Sequence, residues 1–264
     1  MHITSRDNFL LRQTRLVREG KIDHLIFVEG LRLAEEALSS GLKIEAAIYS
    51  DELARKERAA RLIDQLVKVA TRSASVSEKL LESISYTKTP QGIVLLAQRP
   101  AGEVECLTSV IDAHSLLVVL HQLNNPVNVG AILRTAEAAG VSGVITTRNT
   151  SDPFSPKALR GAMGSAFRLP VWSDADYADV IEWCGFRNIA TICTAASAKL
   201  SYTEMDWKSP SALILGPEST GLTDSEIAAA TATVSIPMSG EVESLNVSVA
   251  AGIVLFEAAR QRRS

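Results

Sequence analysis

Apolar residues recur along this chain in two alternating rhythms. Amphipathic runs of period near 3.6 predict helices over 8–19, 31–39, 52–65 and 77–83. Between them, short apolar or alternating runs predict strands over 25–28, 44–49, 67–69 and 92–97. Gly41 stands where the second helix should end in a left-handed cap. The stretch 98–103 then brings proline, glycine and charge together and breaks the periodicity. A linker is therefore expected over 98–112, separating one domain at 1–97 from another at 113–264.

Beyond the linker, after a helix near 107–111, the strand-like runs are almost wholly apolar, as in a parallel sheet covered on both faces. They fall at 116–120, 143–147, 187–193, 212–215 and 233–236. Helices are expected between them at 129–139, 157–162, 177–184, 224–230 and 248–262, with Gly140 closing the first. Thr223, Asp224 and Glu226 read as a capping box and are assigned to structure rather than chemistry. The last helix is apolar on nearly every face, so it should need a partner on more than one side. The chain reads as an α/β protein.

Composition narrows the class. Hydrophobic residues make up 46% of the 264 and aromatic residues only 5%, which fits an aliphatic core and disfavours disorder. No run reaches the roughly 20 apolar residues needed to cross a bilayer. The charged first 18 residues do not resemble a secretory signal, so a cytoplasmic location is expected. Cys106, Cys184 and Cys193 are too scattered for a zinc site or a disulfide framework. Neither a metal nor a membrane partner is expected.

The net charge of −3 conceals an asymmetry, because residues 1–97 hold 15 Lys and Arg against 13 Asp and Glu while the rest of the chain is acidic. Arg12, Arg15 and Arg18 recur at threes along the first helix. Such a strip is either a solvated face or a contact for nucleic-acid phosphates.

Candidate chemistry lies in three turns of the second domain. They are Asn124-Asn125-Pro126-Val127-Asn128-Val129-Gly130-Ala131-Ile132-Leu133-Arg134, Leu215-Gly216-Pro217-Glu218-Ser219-Thr220-Gly221-Leu222, and Ile236-Pro237-Met238 followed by Ser244-Leu245-Asn246-Val247-Ser248. The first two run from a strand's C-terminal end towards a helix N-terminus, where free backbone N–H groups collect, and the third follows a strand and leads into the last helix. Pro126, Pro217 and Pro237 stiffen them, which suits a preformed cradle. No G-x-G-x-x-G turn or phosphate-binding P-loop is present, which disfavours the common dinucleotide and nucleotide folds. His114 and His121 lie near the first turn and are read as structural.

In order and wording the three turns resemble the SpoU/TrmH branch of the SPOUT RNA methyltransferases, whose motifs read Asn-x-Gly-Ala-x-x-Arg, Gly-x-Glu-x-x-Gly-Leu, and Ile-Pro-Met followed by Ser-Leu-Asn-Val-Ser. Ser155-Pro156-Lys157, Phe167-Arg168-Leu169-Pro170 and the segment 8–30 extend the likeness over nearly the whole chain. The resemblance implies an L30e-like α/β substrate-binding domain followed by a parallel-sheet α/β trefoil-knot methyltransferase domain. It further implies S-adenosylmethionine as methyl donor, RNA as substrate, and a homodimer formed through the last helix and the first motif's helix, with each site completed at the interface.

Carried over by position, the resemblance places the donor against Thr194, Ala195, Ala196, Leu215, Gly216, Ile236, Met238 and Leu245, mostly through backbone groups. Arg134 is assigned to activation of a ribose 2′-hydroxyl, with Asn128 and Asn246 orienting it or the ribose, Glu218 pairing with it or organising its own loop, and Ser244 touching substrate. The arginines 12, 15 and 18 become RNA contacts. Pro217 and Ser219 depart from the family's usual Gly-x-Glu-Gly wording, so glycine's access to positive φ is lost at 219. Ribosomal RNA is favoured as substrate because of the separate N-terminal domain. Transfer RNA, methylation of a base, and a catalytically idle RNA-binding homodimer are the alternatives.

Overall fold

The computed structural model describes residues 1–240, 242 and 244–263. The chain divides into two compact units, Met1–Pro100 with Phe154–Arg168, and Ala101–Pro153 with Leu169–Ser264. None of the described helices is long and apolar enough to cross a membrane.

The first unit begins with β1 (His2–Ile3), α1 (Phe9–Arg18), β2 (Leu25–Glu29), α2 (Leu31–Ser39), β3 (Ile44–Ser50), α3 (Glu57–Val69), β4 (Arg72–Val76), α4 (Glu78–Ile84) and β5 (Ile93–Gln98). Its sheet runs β1-β4-β3-β5-β2, with the first three strands parallel and β5 antiparallel to both neighbours. Asn8 caps α1 by accepting the Leu10 N–H at 2.9 Å. The buried face of that helix, Leu10, Leu11, Thr14 and Val17, lies over a core that includes Phe27, Ile48 and Leu96.

Two expectations fail here. The helix expected over 52–65 is split, because Lys56 adopts an extended ψ of 124° between a short 3-10 turn and α3. The strand expected over 67–69 is the last turn of α3. Its Val67 and Val69 are exposed, whereas Ala59, Leu62, Ile63 and Leu66 form the buried helical stripe that decides the conformation. The true strand, β4, follows at Arg72–Val76.

The second unit holds α5 (Glu105–Thr108), β6 (Leu116–Leu120), α6 (Pro126–Ala139) and β7 (Gly143–Thr147). The chain then gives α7 (Pro156–Ala162) and α8 (Ser165–Arg168) to the first unit. It returns with β8 (Val171–Ala175), α9 (Tyr177–Phe186), β9 (Ala190–Thr194), β10 (Leu200–Ser201), β11 (Ser211–Leu215), α10 (Asp224–Ala229), β12 (Ala232–Ser235) and α11 (Val247–Arg263). The seven strands are all parallel and ordered β10-β12-β9-β11-β6-β7-β8. β6, β7 and β11 are buried at every residue, as in strands of a parallel sheet covered on both faces.

β8 and β10 have no counterpart in the expected pattern. β8 is an edge strand carrying Ser173 and Asp174, and its register shifts against β7 where Asp174 takes a φ of 59°. β9 starts at Ala190, later than expected, because Arg187 caps α9 and Asn188 turns the chain left-handed at φ 55°.

Trp207, fully buried, ties the chain before β11 to α11. Its indole N–H donates to the Tyr202 carbonyl at 2.8 Å, and its backbone N–H donates to Gln261 at 3.1 Å. Trp207→Ala is expected to cost about 3–5 kcal/mol of stability, to be read as a lower denaturant midpoint at unchanged slope.

Candidate active site

Because every strand of the second unit's sheet points the same way, the chain leaves neighbouring β6, β11, β9 and β12 at one edge. Ligands gather at such an edge in parallel α/β sheets. There a cavity of about 520 Å³ is lined by Thr194, Ala195 and Ala196 after β9, residues 216–219, 221 and 222 after β11, and Ile236 and Met238 after β12. Ser244, Leu245, Asn246, Val247 and Ala250 close it from the start of α11, and Asn128 from α6. Glu241 and Glu243, which fall within the third motif's span, lie outside the described residues.

The cavity's walls differ in chemistry. Ala195, Ala196, Ile236, Met238, Leu245 and Ala250 make an apolar slot, while Asn128, Glu218, Ser244 and Asn246 form a polar margin. A volume in the 300–1,000 Å³ range and a slot of this kind suit a nucleoside-sized ligand held by shape with a few oriented polar groups. Gly216 sits where a side chain has no room: a Cβ there would lie 2.7 Å from Leu222 Cγ.

Two helix N-termini build the polar margin. Asn125 caps α6 by accepting the Val127 N–H at 3.0 Å, and Pro126 occupies the first turn, where its missing N–H costs nothing. This buries Asn128 in that turn. Asn246 caps α11, its Oδ1 accepting the Ser248 backbone N–H at 2.9 Å and the Ser248 hydroxyl at 2.6 Å. Asn246 Nδ2 donates to Asn128 Oδ1 at 3.3 Å, and Asn128 Nδ2 donates to Glu218 Oε1 at 2.7 Å. The chain Ser248–Asn246–Asn128–Glu218 thus fixes both amides and, among the described residues, leaves one Glu218 oxygen for another partner. Positive φ in the second loop falls at Gly221, at 65°, and Ser219 is not among the left-handed residues, so the departure there imposes no backbone strain.

The sequence-assigned residues do not all meet. Leu215, buried as the last residue of β11, is absent from the cavity wall. Arg134 is also outside it, exposed on α6 with no side-chain hydrogen bond or ion pair among the described residues. It stands six positions on from Asn128, about 120° round the helix. Glu218 pairs with Asn128 rather than with Arg134. Val247 and Ala250, which line the cavity one turn apart on α11, and Ser248 were not picked out from sequence; the Asn-Val-Ser wording carries a cap signal that finds Ser248.

No lysine, histidine or cysteine lines the cavity among the described residues. Among the described residues, a hydroxyl held there would meet one carboxylate, already engaged by an amide, as its ionisable neighbour. No cation stands in the wall, among those same described residues, to activate that hydroxyl.

The three arginines of α1 separate in the same way. Arg12 is exposed with no side-chain partner among the described residues. Arg15 Nη2 donates to the Arg6 carbonyl at 3.0 Å, while Arg18 Nη1 donates to the Ser85 carbonyl at 2.9 Å and its Nη2 lies 3.5 Å from Glu19. Two of the three are therefore committed within their own unit.

Residues 115–256 match the SpoU rRNA Methylase family, and residues 11–95 match the MRM3-like substrate binding domain. An uncharacterized tRNA/rRNA methyltransferase of Synechocystis is 32% identical over 98% of this chain and 94% of its own. A 23S rRNA (guanosine-2′-O-)-methyltransferase of Shewanella oneidensis is 35% identical over 79% of this chain and 86% of its own. The crystal structure of an AdoMet-bound rRNA methyltransferase from Sinorhizobium meliloti superposes with a TM-score of 0.87 at 30% identity, covering 98% of this chain and 97% of that one.

Proposed function

Since the chain belongs to the SpoU rRNA methylase family, we propose that it is an S-adenosylmethionine-dependent methyltransferase acting on a ribose 2′-hydroxyl of ribosomal RNA. The observation that carries this reading is the convergence of the apolar slot and the Asn128–Glu218–Asn246 margin at one sheet edge. The Shewanella relative bears the name of a ribose 2′-O-methyltransferase of 23S rRNA.

The slot formed by Ala195, Ala196, Gly216, Ile236, Met238 and Leu245 would hold the donor, which supplies an electrophilic methyl group on a sulfonium. Asn128 and Asn246 orient the ribose, and Ser244 contacts the RNA. The Arg134 guanidinium stabilises the oxygen as it becomes nucleophilic, and a substrate phosphate helps to draw off the hydroxyl proton.

Arg134's position off its own cavity favours a homodimer in which it serves the partner's site. Val127 of α6 and Val249 and Phe256 of α11, each 45–51% exposed, offer apolar surface for that interface. α6 and α11 pack closely enough that a Cβ at Gly252 would lie 3.7 Å from Thr135 Cγ2.

The first unit would select the RNA. Arg12→Ala is expected to weaken RNA binding at every sequence and lower the slope of log affinity against log salt by about 1. Arg18→Ala, acting on an internal contact, should lower stability and leave that slope unchanged. Filter binding from about 50 to 200 mM salt separates the two.

The reading as a whole is tested by incubating the protein with S-adenosylmethionine labelled in the methyl group and either ribosomal or transfer RNA. Label in acid-precipitated ribosomal RNA is the expected result. Label in transfer RNA alone would reassign the substrate, and none in either RNA or in partly assembled ribosomal particles would leave an idle RNA-binding protein.

A further inference from the structure

Outside the cavity wall lies a polar cluster that the reaction does not use. His121, the residue after β6, is 2% exposed, and both ring nitrogens are engaged: Nδ1 lies 3.0 Å from Thr147 Oγ1 and Nε2 lies 2.9 Å from Glu226 Oε1. A buried imidazole is costly without such partners. The Tyr177 ring packs at 4.6 Å between centroids, and its hydroxyl donates to the Glu226 carbonyl at 2.9 Å. Burial pushes the Cys193 thiol beside it up to about 11, so that group stays neutral.

Glu226 faces two ways. While Oε1 meets His121, Oε2 accepts the Thr223 backbone N–H at 2.7 Å, completing the capping box of α10. Burial works against its charge, but the Thr223 N–H and hydroxyl and then His121 outweigh that and hold the carboxyl below its usual range. The His121 backbone N–H meanwhile donates to the Leu215 carbonyl at 2.9 Å. Leu215 immediately precedes the loop 216–222, and Thr223 immediately follows it.

We infer that His121 is a positioning residue for the methyl donor, clamping the cavity-forming loop 216–222 at its entrance through Leu215 and at its exit through Glu226 and Thr223. The inference rests on the proposed donor site. The loop carries Gly216, Glu218, Gly221 and Leu222 into the cavity wall. Between its pinned ends the Gly221 N–H donates to the Pro217 carbonyl at 3.0 Å, so the segment is short and internally tied. Displacing Thr223 moves Leu222, whose side chain lies against Gly216. The backbone of His121 thus holds the loop's entrance and its ring the exit, so the ring bears on a wall it does not itself touch.

The test is calorimetric titration of the full-length protein with S-adenosylmethionine, alongside thermal melts and the KM for RNA. His121→Leu and Glu226→Ala are each expected to raise the donor Kd about tenfold, and the double variant should show the same tenfold rise because both interrupt the same His121–Glu226–Thr223 connection. Glu226→Gln keeps an acceptor for Thr223 and a donor for His121, and should bind within about threefold of wild type. The KM for RNA should not move. Because Glu226 is partly exposed, its variants keep the test open if His121→Leu does not fold. Donor affinity within twofold of wild type in Glu226→Ala, whatever the melting temperature, would overturn the inference, as would effects that multiply in the double variant. A wild-type protein that bound no donor would overturn the proposed function with it, whereas unchanged variants of a binding wild type would overturn this inference alone.

Discussion

Arg134→Ala is expected to lower methyl transfer by about 10²–10³-fold, the scale of losing one donor aimed at a developing oxyanion, with the donor Kd unchanged. The separation follows from geometry. Arg134 does not line the cavity, so its loss removes nothing from the donor's walls, and it is exposed and unpaired among the described residues, so its loss leaves no buried group stranded. Single-turnover rates and calorimetry on the same preparation measure the two quantities. If Arg134 serves the partner's site, Arg134→Ala and Asn128→Ala subunits, each inactive alone, should regain up to half of wild-type activity per mixed dimer. One of the two sites would then combine an intact Asn128 with an intact Arg134 from the partner. Mixed dimers as inactive as either parent would place Arg134 in its own chain's site.

Gly216→Val should strike donor binding instead. A Cβ at this position would lie 2.7 Å from Leu222 Cγ, 3.0 Å from its Cδ2 and 3.1 Å from its backbone nitrogen. The side-chain atoms could swing aside, but the backbone nitrogen can move only if the loop moves. Overpacking of this kind costs about 1–3 kcal/mol. Spent on the loop that walls the cavity, that weakens donor affinity about 5- to 150-fold. Gly216→Ala should show a smaller effect in the same direction. Donor affinity within twofold of wild type in Gly216→Val would show that this loop does not shape the binding site.

Much of this architecture is legible in the sequence because local chemistry decides it. The runs 116–120 and 143–147 coincide with β6 and β7, since four or five consecutive aliphatic or β-branched residues between turn signals leave little else to form. The capping box at Thr223 and the left-handed Gly140 are equally local, and both are present. β8 escapes because Val-Trp-Ser-Asp-Ala has neither alternation nor continuity, and its conformation comes from pairing with β7. The end of α3 is not legible locally because Val-Lys-Val favours a strand by propensity, while the stripe ending at Leu66 holds it in the helix.

The candidate site divides along the same line. Motif wording names Asn128, Glu218 and Asn246, but their joining into one hydrogen-bonded chain spans 90 residues between Asn128 and Glu218 and 118 between Asn128 and Asn246. No local pattern encodes such a pairing; it depends on β6 and β11 being neighbours and on α6 and α11 packing together. The double role of Glu226 is hidden for the same reason. Its capping box is local and was read, while its bond to His121 crosses 105 residues. Burial also reshapes the arginine strip: even spacing along α1 says nothing of the Arg6 and Ser85 carbonyls that engage Arg15 and Arg18.

The central claim is that this cavity delivers a methyl group to a ribose oxygen of ribosomal RNA, and the most direct measurement is the identity of the labelled nucleoside. Ribosomal RNA methylated by the wild-type protein with labelled S-adenosylmethionine would be digested to nucleosides and resolved by liquid chromatography and mass spectrometry. The account predicts label in a single 2′-O-methylated nucleoside, lost in Arg134→Ala. Label on a base, or label that persists in Arg134→Ala, would contradict it.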